Sequence, residues 1–202
     1  RAERGLISWR QALELVHRPQ SDADWKVARE TLRTQEALVL QTALVQRRDA
    51  LRAVKAIARE PGATLAGFDA ALPFSLTDDQ VAAGEAIGAE IASARPMNRL
   101  VQGEVGSGKT LVALRGMLQV AQSGGQSALL APTEVLAQQH FRSIVAALGP
   151  DLAARMRPVL FTGQLTAADR KRASLAIASG SALIVIGTHA LLGERVLFAD
   201  LG

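Results

Sequence analysis

The sequence feature that most constrains the fold is residues 103–110, which match the phosphate-loop pattern G-x-x-x-x-G-K-[ST]. Such a loop needs a buried strand before it and a helix after it, because the amides of the turn and of the helix start must point inward together. Apolar Leu100-Val101 precedes the loop, and a helical stretch over 109–122 follows it. In order, the loop residues are Gly103, Glu104, Val105, Gly106, Ser107, Gly108, Lys109 and Thr110.

The residue types of this loop suit a nucleoside triphosphate. Gly103, Gly106 and Gly108 allow backbone conformations closed to other residues, so that successive amides can surround a phosphate. Lys109 is expected to reach the β- and γ-phosphates, and the Thr110 hydroxyl to bind Mg²⁺. A glycine-rich turn that merely joins a strand to a helix would explain neither side chain. The loop alone does not specify a function, because kinases, transport ATPases, GTPases and helicases share it.

From residue 73 onward, short apolar runs alternate with helical stretches. Buried strands are predicted at 100–101, 128–131, 158–161 and 183–186, and helices at 109–122, 134–148 and 167–179. Alternation of this kind predicts a parallel sheet with helices on both faces. The fold class of residues 72–202 is therefore α/β.

The preceding residues have a helical texture. Residues 24–60 contain no proline or glycine, and apolar side chains spaced by three, four and seven predict a long amphipathic helix, or two in series. Ser21 or Asp22 is a plausible N-cap, and Pro61-Gly62 is a stop signal. A shorter helix is predicted around 8–16. We therefore predict an α-helical segment over 1–71 and an α/β lobe over 72–202.

The charge is unevenly distributed. Residues 1–60 hold 12 Lys and Arg against 8 Asp and Glu, which accounts for the whole net charge of +4. A basic arm of this kind is consistent with contact to an anionic polymer. A solvated, arginine-rich helical face is the other interpretation, and charge alone favours it.

Several classes of site are unsupported by the composition. There is no cysteine, so disulfides and thiolate metal sites are excluded, and the histidines, His17, His140 and His189, form no recognisable metal-ligand motif. No apolar run approaches the roughly 18 to 20 residues that span a bilayer, and the first residues show no signal pattern, so we expect no secretion signal. We expect a cytoplasmic protein without a membrane partner. Because the sequence begins with Arg, we expect a processed or cut product.

Four further segments resemble motifs of superfamily 2 helicases. Residues 72–80, Leu-Pro-Phe-Ser-Leu-Thr-Asp-Asp-Gln, resemble the glutamine motif that reads adenine, and Phe74 and Gln80 are its candidate base-binding residues. An exposed helix glutamine after a Thr77 N-cap is an equal interpretation. Residues 131–140 resemble motif Ia, 161–164 motif Ib, and 186–191 the Gly-Thr-His-Ala-Leu segment. The candidate DNA-backbone residues in these three are Pro132, Thr133, Thr162, Gly163, Gly187 and Thr188.

These motifs, in this order and spacing, are most similar to the RecG family of helicases. The resemblance implies an incomplete first RecA-like motor lobe over 72–202, and over 1–71 the helical connector between the DNA-binding wedge domain and the motor. It also implies ATP and Mg²⁺ as cofactors, branched or double-stranded DNA bound through its backbone, and a monomeric motor. Fork reversal and Holliday-junction migration in recombination and repair are the activities implied.

The same resemblance implies that parts of the motor lie outside this sequence. The Walker B strand with its Asp-Glu pair and a second lobe that supplies arginines are absent, and Asp200 is interpreted as a loop residue. We therefore expect the isolated chain to hydrolyse little or no ATP. The alternatives are a double-stranded DNA translocase of the Mfd type, a non-catalytic nucleotide-dependent interaction module and, with less support, a small-molecule kinase.

Overall fold

The computed structural model describes residues 5–193 and 196–202. The chain forms two compact units, Arg1–Val54 and Lys55–Gly202. This division falls earlier in the chain than the connector and lobe boundary expected at residues 71 and 72. That boundary follows the helicase motifs rather than compactness, and it stays a prediction.

The first unit is a helical hairpin of α1 (Trp9–His17) and α2 (Asp22–Ala53). Each helix begins at a serine whose hydroxyl accepts a backbone N–H three residues on, Ser8 from Gln11 and Ser21 from Asp24. α2 ends at Ala53, so the prediction that helix continues to about residue 60 is wrong. Residues after 54 hydrogen-bond elsewhere, and the Ala56 N–H donates to the Ala94 carbonyl oxygen at 3.1 Å.

The second unit contains a parallel sheet of β1 (Ser127–Leu130), β2 (Val159–Phe161) and β3 (Ile184–Gly187) in the order β1-β3-β2. Leu130 and Phe161 both pair with Gly187, so the three carboxyl ends are level at one edge. The predicted α/β class with a parallel sheet is confirmed.

The described residues of the second unit form five α-helices: α3 (Ala63–Ala70), α4 (Asp78–Ile91), α5 (Lys109–Ala121), α6 (Glu134–Met156) and α7 (Ala167–Ala178). A 3-10 helix, His189–Leu192, follows β3. α6 is kinked at Gly149, where φ is 67°, just before Pro150. Its first part therefore matches the prediction of a helix that ends at Leu148.

Alternate residues of β3 face two different cores. Ile184 and Ile186 are buried with α5 and α6, whereas Val185 is buried with α7. Helices thus cover both faces of the sheet, as the apolar strand sequences predict. Within the described residues no helix is both long and apolar enough to cross a membrane.

The strand predicted at 100–101 is wrong. Residues 100–104 are irregular, and Leu100 is 81% exposed. Among the described residues, the outer edge of β1 is bridged only where Gln126 pairs in parallel with Leu201. An apolar cavity of about 820 Å³, lined by Val101 and Leu201 among others, lies beside it. In the part of the chain that the structure describes, residues 100–101 therefore have no neighbouring strand with which to form a ladder.

Candidate functional site

The phosphate loop turns through two left-handed glycines. Gly106 has φ of 86° and Gly108 has φ of 82°, a region that glycine enters readily. Gly108 is the N-cap of α5 and provides no side-chain cap. The first amides of this 13-residue helix are therefore available to an anion, and the helix dipole favours one there.

Lys109 folds its side chain back over the loop. Its Nζ donates to the carbonyl oxygens of Gly103 at 2.7 Å and Glu104 at 2.6 Å. A side chain on Gly103 would begin 2.7 Å from the Ser107 Oγ, so only glycine fits there without displacing Ser107. The ammonium group is thus held within the curve of the loop, the position that a phosphate-binding lysine requires.

The other loop residues differ in exposure. Glu104 is exposed and the Val105 side chain is wholly exposed, so neither is enclosed by the lobe. Thr110 is half-buried beside Lys109 in the first turn of α5. Lys109 and Thr110 are therefore adjacent at the helix start, as a shared phosphate and Mg²⁺ site needs.

Gln80 connects the start of α4 to this loop. Its side-chain Oε1 accepts the backbone N–H of Thr77 at 3.0 Å, while its backbone N–H donates to the Thr77 hydroxyl. These two hydrogen bonds form a capping box. Its Nε2 donates to the Ser107 carbonyl oxygen at 2.9 Å. One amide N–H and one oxygen lone pair remain. The glutamine therefore acts in the helix cap, and its free amide groups could still pair with a base.

Phe74 lies in a shallow depression of about 510 Å³ lined by residues 69–70, 72–76 and Val81. The residue is 55% exposed, which suits stacking of its ring on a planar base. Asp69 at the wall of the depression accepts hydrogen bonds from Arg115 of α5, from Nε to its Oδ1 at 2.9 Å and from Nη2 to its Oδ2 at 2.9 Å. Sequence reasoning missed this ion pair, because nothing local relates residues 46 positions apart.

The candidate DNA-contact residues follow the three strands and meet at the carboxyl edge of the sheet. Pro132 and Thr133 are exposed after β1, and the Thr133 hydroxyl caps α6 by accepting the Leu136 N–H at 3.3 Å. Gly163 is exposed after β2. These three residues could approach a nucleic-acid backbone directly.

The remaining three candidate residues are enclosed. Thr162 and Thr188 are each 3% exposed, and the Thr188 hydroxyl accepts the Ala190 N–H at 3.5 Å. Gly187 is buried, and a Cβ there would lie 2.1 Å from the Phe161 carbonyl oxygen. These three residues form part of the buried structure at the carboxyl edge of the sheet. Direct contact between them and DNA stays a prediction.

A basic run begins in the first turn of α7, and its first residue, Arg170, adjoins the same edge; sequence reasoning missed it. Arg170 donates to the Gly163 carbonyl oxygen at 2.8 Å and lies 5.8 Å from the centre of the Phe161 ring. Lys171 and Arg172 are exposed. The consecutive letters Arg-Lys-Arg were a visible signal, but a charge run by itself is usually a solvated face.

Asp169 lies beside this basic run. A hydrogen bond from the Thr166 hydroxyl, and then the Arg172 guanidinium, lower the pKa of the Asp169 carboxyl. Because the folded pKa is lowered, this contribution to stability is present at neutral pH and is lost as the carboxylate becomes protonated in acid.

Comparison with known proteins decides among the classes of protein that share this loop. The model of the family described as DEAD/DEAH box helicase matches residues 78–200. The chain belongs to this family. Membership of this helicase family implies that the nucleotide bound by the phosphate loop is ATP. It also rules against the alternative of a small-molecule kinase.

The predicted resemblance to RecG is confirmed. The ATP-dependent DNA helicase RecG of Mycobacterium tuberculosis H37Rv is 45% identical over 100% of this chain and 29% of its own length. That of Mycobacterium leprae is 42% identical over 100% of the chain and 28% of its length. A solved structure of RecG bound to a three-way DNA junction has a TM-score of 0.87 at 35% identity, covering 100% of this chain and 27% of that one. The chain thus spans less than a third of these relatives.

Proposed function

We propose that this chain is the helical connector and the ATP-binding first motor lobe of a RecG-type helicase that acts on branched DNA. The observation that carries the proposal is the contact of Gln80 with the phosphate loop at Ser107, in a chain similar to RecG over its whole length. Fork reversal, Holliday-junction migration, a monomeric motor and a cytoplasmic location follow from this proposal.

ATP would bind between the first turns of α4 and α5. The loop amides and Lys109 would hold the phosphates, and Thr110 would bind the accompanying Mg²⁺. Phe74 would stack on adenine, while the unused amide groups of Gln80 would pair with its edge. The metal supplies charge neutralisation of the phosphates when it is bound.

DNA would lie along the carboxyl edge of the sheet, contacted through its backbone. Pro132, Thr133 and Gly163 are the exposed candidates there, and Arg170, which donates to the Gly163 carbonyl oxygen at 2.8 Å, adds a cation beside them. Contacts to phosphates and sugars carry no sequence information directly, so the binding would be independent of sequence.

Gln80→Ala is expected to lower ATP affinity about tenfold and to bring the affinities for ATP and GTP close together, because a base contact and the Ser107 contact are both lost. Isothermal titration of the chain with each nucleotide in the presence of Mg²⁺ measures this. Gln139→Ala, at an exposed position of α6, is the matched control. An unchanged preference for ATP over GTP would count against Gln80 as the base reader.

Binding of the chain to a fluorescent three-way junction is expected to weaken about 40-fold between 50 mM and 200 mM salt if about three phosphates are contacted. Scrambling the junction sequence should leave the affinity unchanged. Fluorescence anisotropy over a salt series measures both quantities. A salt-independent affinity would contradict backbone binding by this edge.

The isolated chain is expected to bind ATP without hydrolysing it at a measurable rate, because the water-activating carboxylate pair and the second-lobe arginines are not in this sequence. The whole-chain similarity to RecG disfavours an Mfd-type translocase. Phosphate release by the chain alone would contradict the expected inactivity. Tight ATP binding without any DNA affinity would instead favour a nucleotide-dependent interaction module.

A further inference from the structure

Residues 55–60, here called the strap, have no regular secondary structure and contact the C-terminal ends of α4 and α5. The Arg59 N–H donates to the Ile91 carbonyl oxygen at the end of α4, at 3.0 Å. At the C-cap of α5, the Gln122 Nε2 donates to the Glu60 carbonyl oxygen at 2.7 Å. The strap therefore binds the backbone of one helix and a side chain of the other.

Gln119 joins the strap and the two helices at one buried point. Its side chain is almost wholly enclosed, and its Nε2 donates to the Arg59 carbonyl oxygen at 2.7 Å and to the Gly88 carbonyl oxygen at 2.8 Å. Both amide hydrogens are therefore used. A Cβ on Gly88 would come 2.9 Å from the Gln119 Oε1, so glycine permits this close approach.

The Arg59 side chain anchors the strap at the far end of α5. It is 5% exposed, and it donates to the Ser123 Oγ at 3.1 Å and to the Asp200 Oδ1 at 2.7 Å. A side chain on Gly125 would begin 2.7 Å from its guanidinium carbon. Asp200, expected from the sequence to be a loop residue, therefore has an ion-pair partner.

The two helices held by the strap at their C-terminal ends begin at the candidate nucleotide site. α4 starts beside Gln80 and α5 starts at Lys109, and the Gln80 contact with Ser107 joins these ends. Gln119 lies ten residues beyond Lys109, which is about 15 Å along the helix. A helix of this length is rigid, so a shift at Gln119 changes how the two helix starts face each other.

We infer that Gln119 and Arg59 are positioning residues of the nucleotide site, which act by fixing α4 against α5 and thereby Gln80 against the phosphate loop. The inference rests on the proposed ATP binding. According to this inference, the strap controls the affinity of the site for its nucleotide. The strap directly follows the helical unit in sequence. A purely structural role would lower stability without any specific link to Gln80.

A double-mutant cycle on ATP affinity tests the inference. Gln119→Met keeps the side-chain length and removes both donors, and it is expected to weaken ATP binding threefold to tenfold. In the Gln80→Ala background the same change should have an effect at least about threefold smaller, because the contact through which it acts is already gone. Gln139→Met, on the exposed face of α6, should change nothing. Affinities are measured by titration calorimetry, with thermal melting to verify folding.

Arg59 gives a second test that does not depend on Gln119→Met folding. Arg59→Met should reproduce the loss of ATP affinity, and Arg59→Lys, which keeps a cation for Asp200, should restore most of it. Additive effects of Gln119→Met and Gln80→Ala, or equal effects of the two Arg59 variants, would overturn the inference while leaving ATP binding in place. Absence of ATP binding by the unaltered chain would overturn the proposed function, and this inference with it.

Discussion

Lys109→Ala is expected to weaken Mg-ATP binding by the chain about 10-fold to 100-fold. A charge-assisted hydrogen bond contributes roughly 1.5–3 kcal/mol, and this lysine is the loop cation expected to meet the triphosphate. In the structure its Nζ donates hydrogen bonds to the carbonyl oxygens of Gly103 and Glu104. Alanine therefore removes a phosphate ligand and also loosens the loop. Titration calorimetry in the presence of Mg²⁺ measures the loss.

Lys171→Ala is the matched control for this experiment. Lys171 is exposed on α7, away from the phosphate loop in sequence, so its removal should leave ATP affinity unchanged. In a full-length RecG-type helicase carrying this segment, Lys109→Ala should abolish DNA-dependent ATPase activity. Equal ATP affinity of the Lys109→Ala variant and the unaltered chain would remove the basis for a nucleotide site here.

The alternation of strands and helices was predictable because its signals are local. β1, β2 and β3 each lie within one residue of the predicted ends, and α5 and α7 begin at the predicted residues 109 and 167. Continuous apolar runs indicate strands buried on both faces, and the threonines at 133 and 166 mark helix starts. These features are encoded within a few neighbouring residues.

Local sequence signals predicted the wrong secondary structure where hydrogen-bond partners distant in sequence determine it. Leu100-Val101 has the sequence of a strand, but a strand requires a neighbour, and none is paired with it among the described residues. Residues 54–60 have good helical composition, yet their backbone groups are taken by Ile91, Ala94 and Gln119. Tertiary hydrogen bonds thus override helix propensity there.

The same distinction applies to the candidate site. The phosphate loop was visible because its eight residues are contiguous. The contact of Gln80 with Ser107 spans 27 residues and that of Arg59 with Asp200 spans 141, so no sequence pattern indicates them. The sequence also indicated the motif residues that follow the strands. It did not indicate that Thr162 and Thr188 are buried, because the exposure of a side chain depends on how the strands pack.

Gln126 makes the densest set of side-chain hydrogen bonds in the described part of the lobe. It is fully buried, and its Nε2 donates to the carbonyl oxygens of Ile177 at 2.9 Å and Ala182 at 2.7 Å. Its Oε1 accepts the N–H groups of Ala199 at 2.7 Å and Asp200 at 3.1 Å. All four hydrogen-bonding positions of the amide are used, and they join the end of α7 to the last described segment.

Gln126→Leu is therefore expected to lower the free energy of unfolding by about 1–3 kcal/mol, the cost of one buried polar group left without a partner. That group is the carbonyl oxygen of the fully buried Ala182, since the Ile177 carbonyl oxygen keeps the Gly180 N–H at 3.1 Å. Urea denaturation followed by circular dichroism measures the change. Gln139→Leu, the same substitution at an exposed site of α6, should alter stability by less than about 0.5 kcal/mol. Equal stability of the two variants would mean that the four bonds of Gln126 do not hold the 199–200 segment in place.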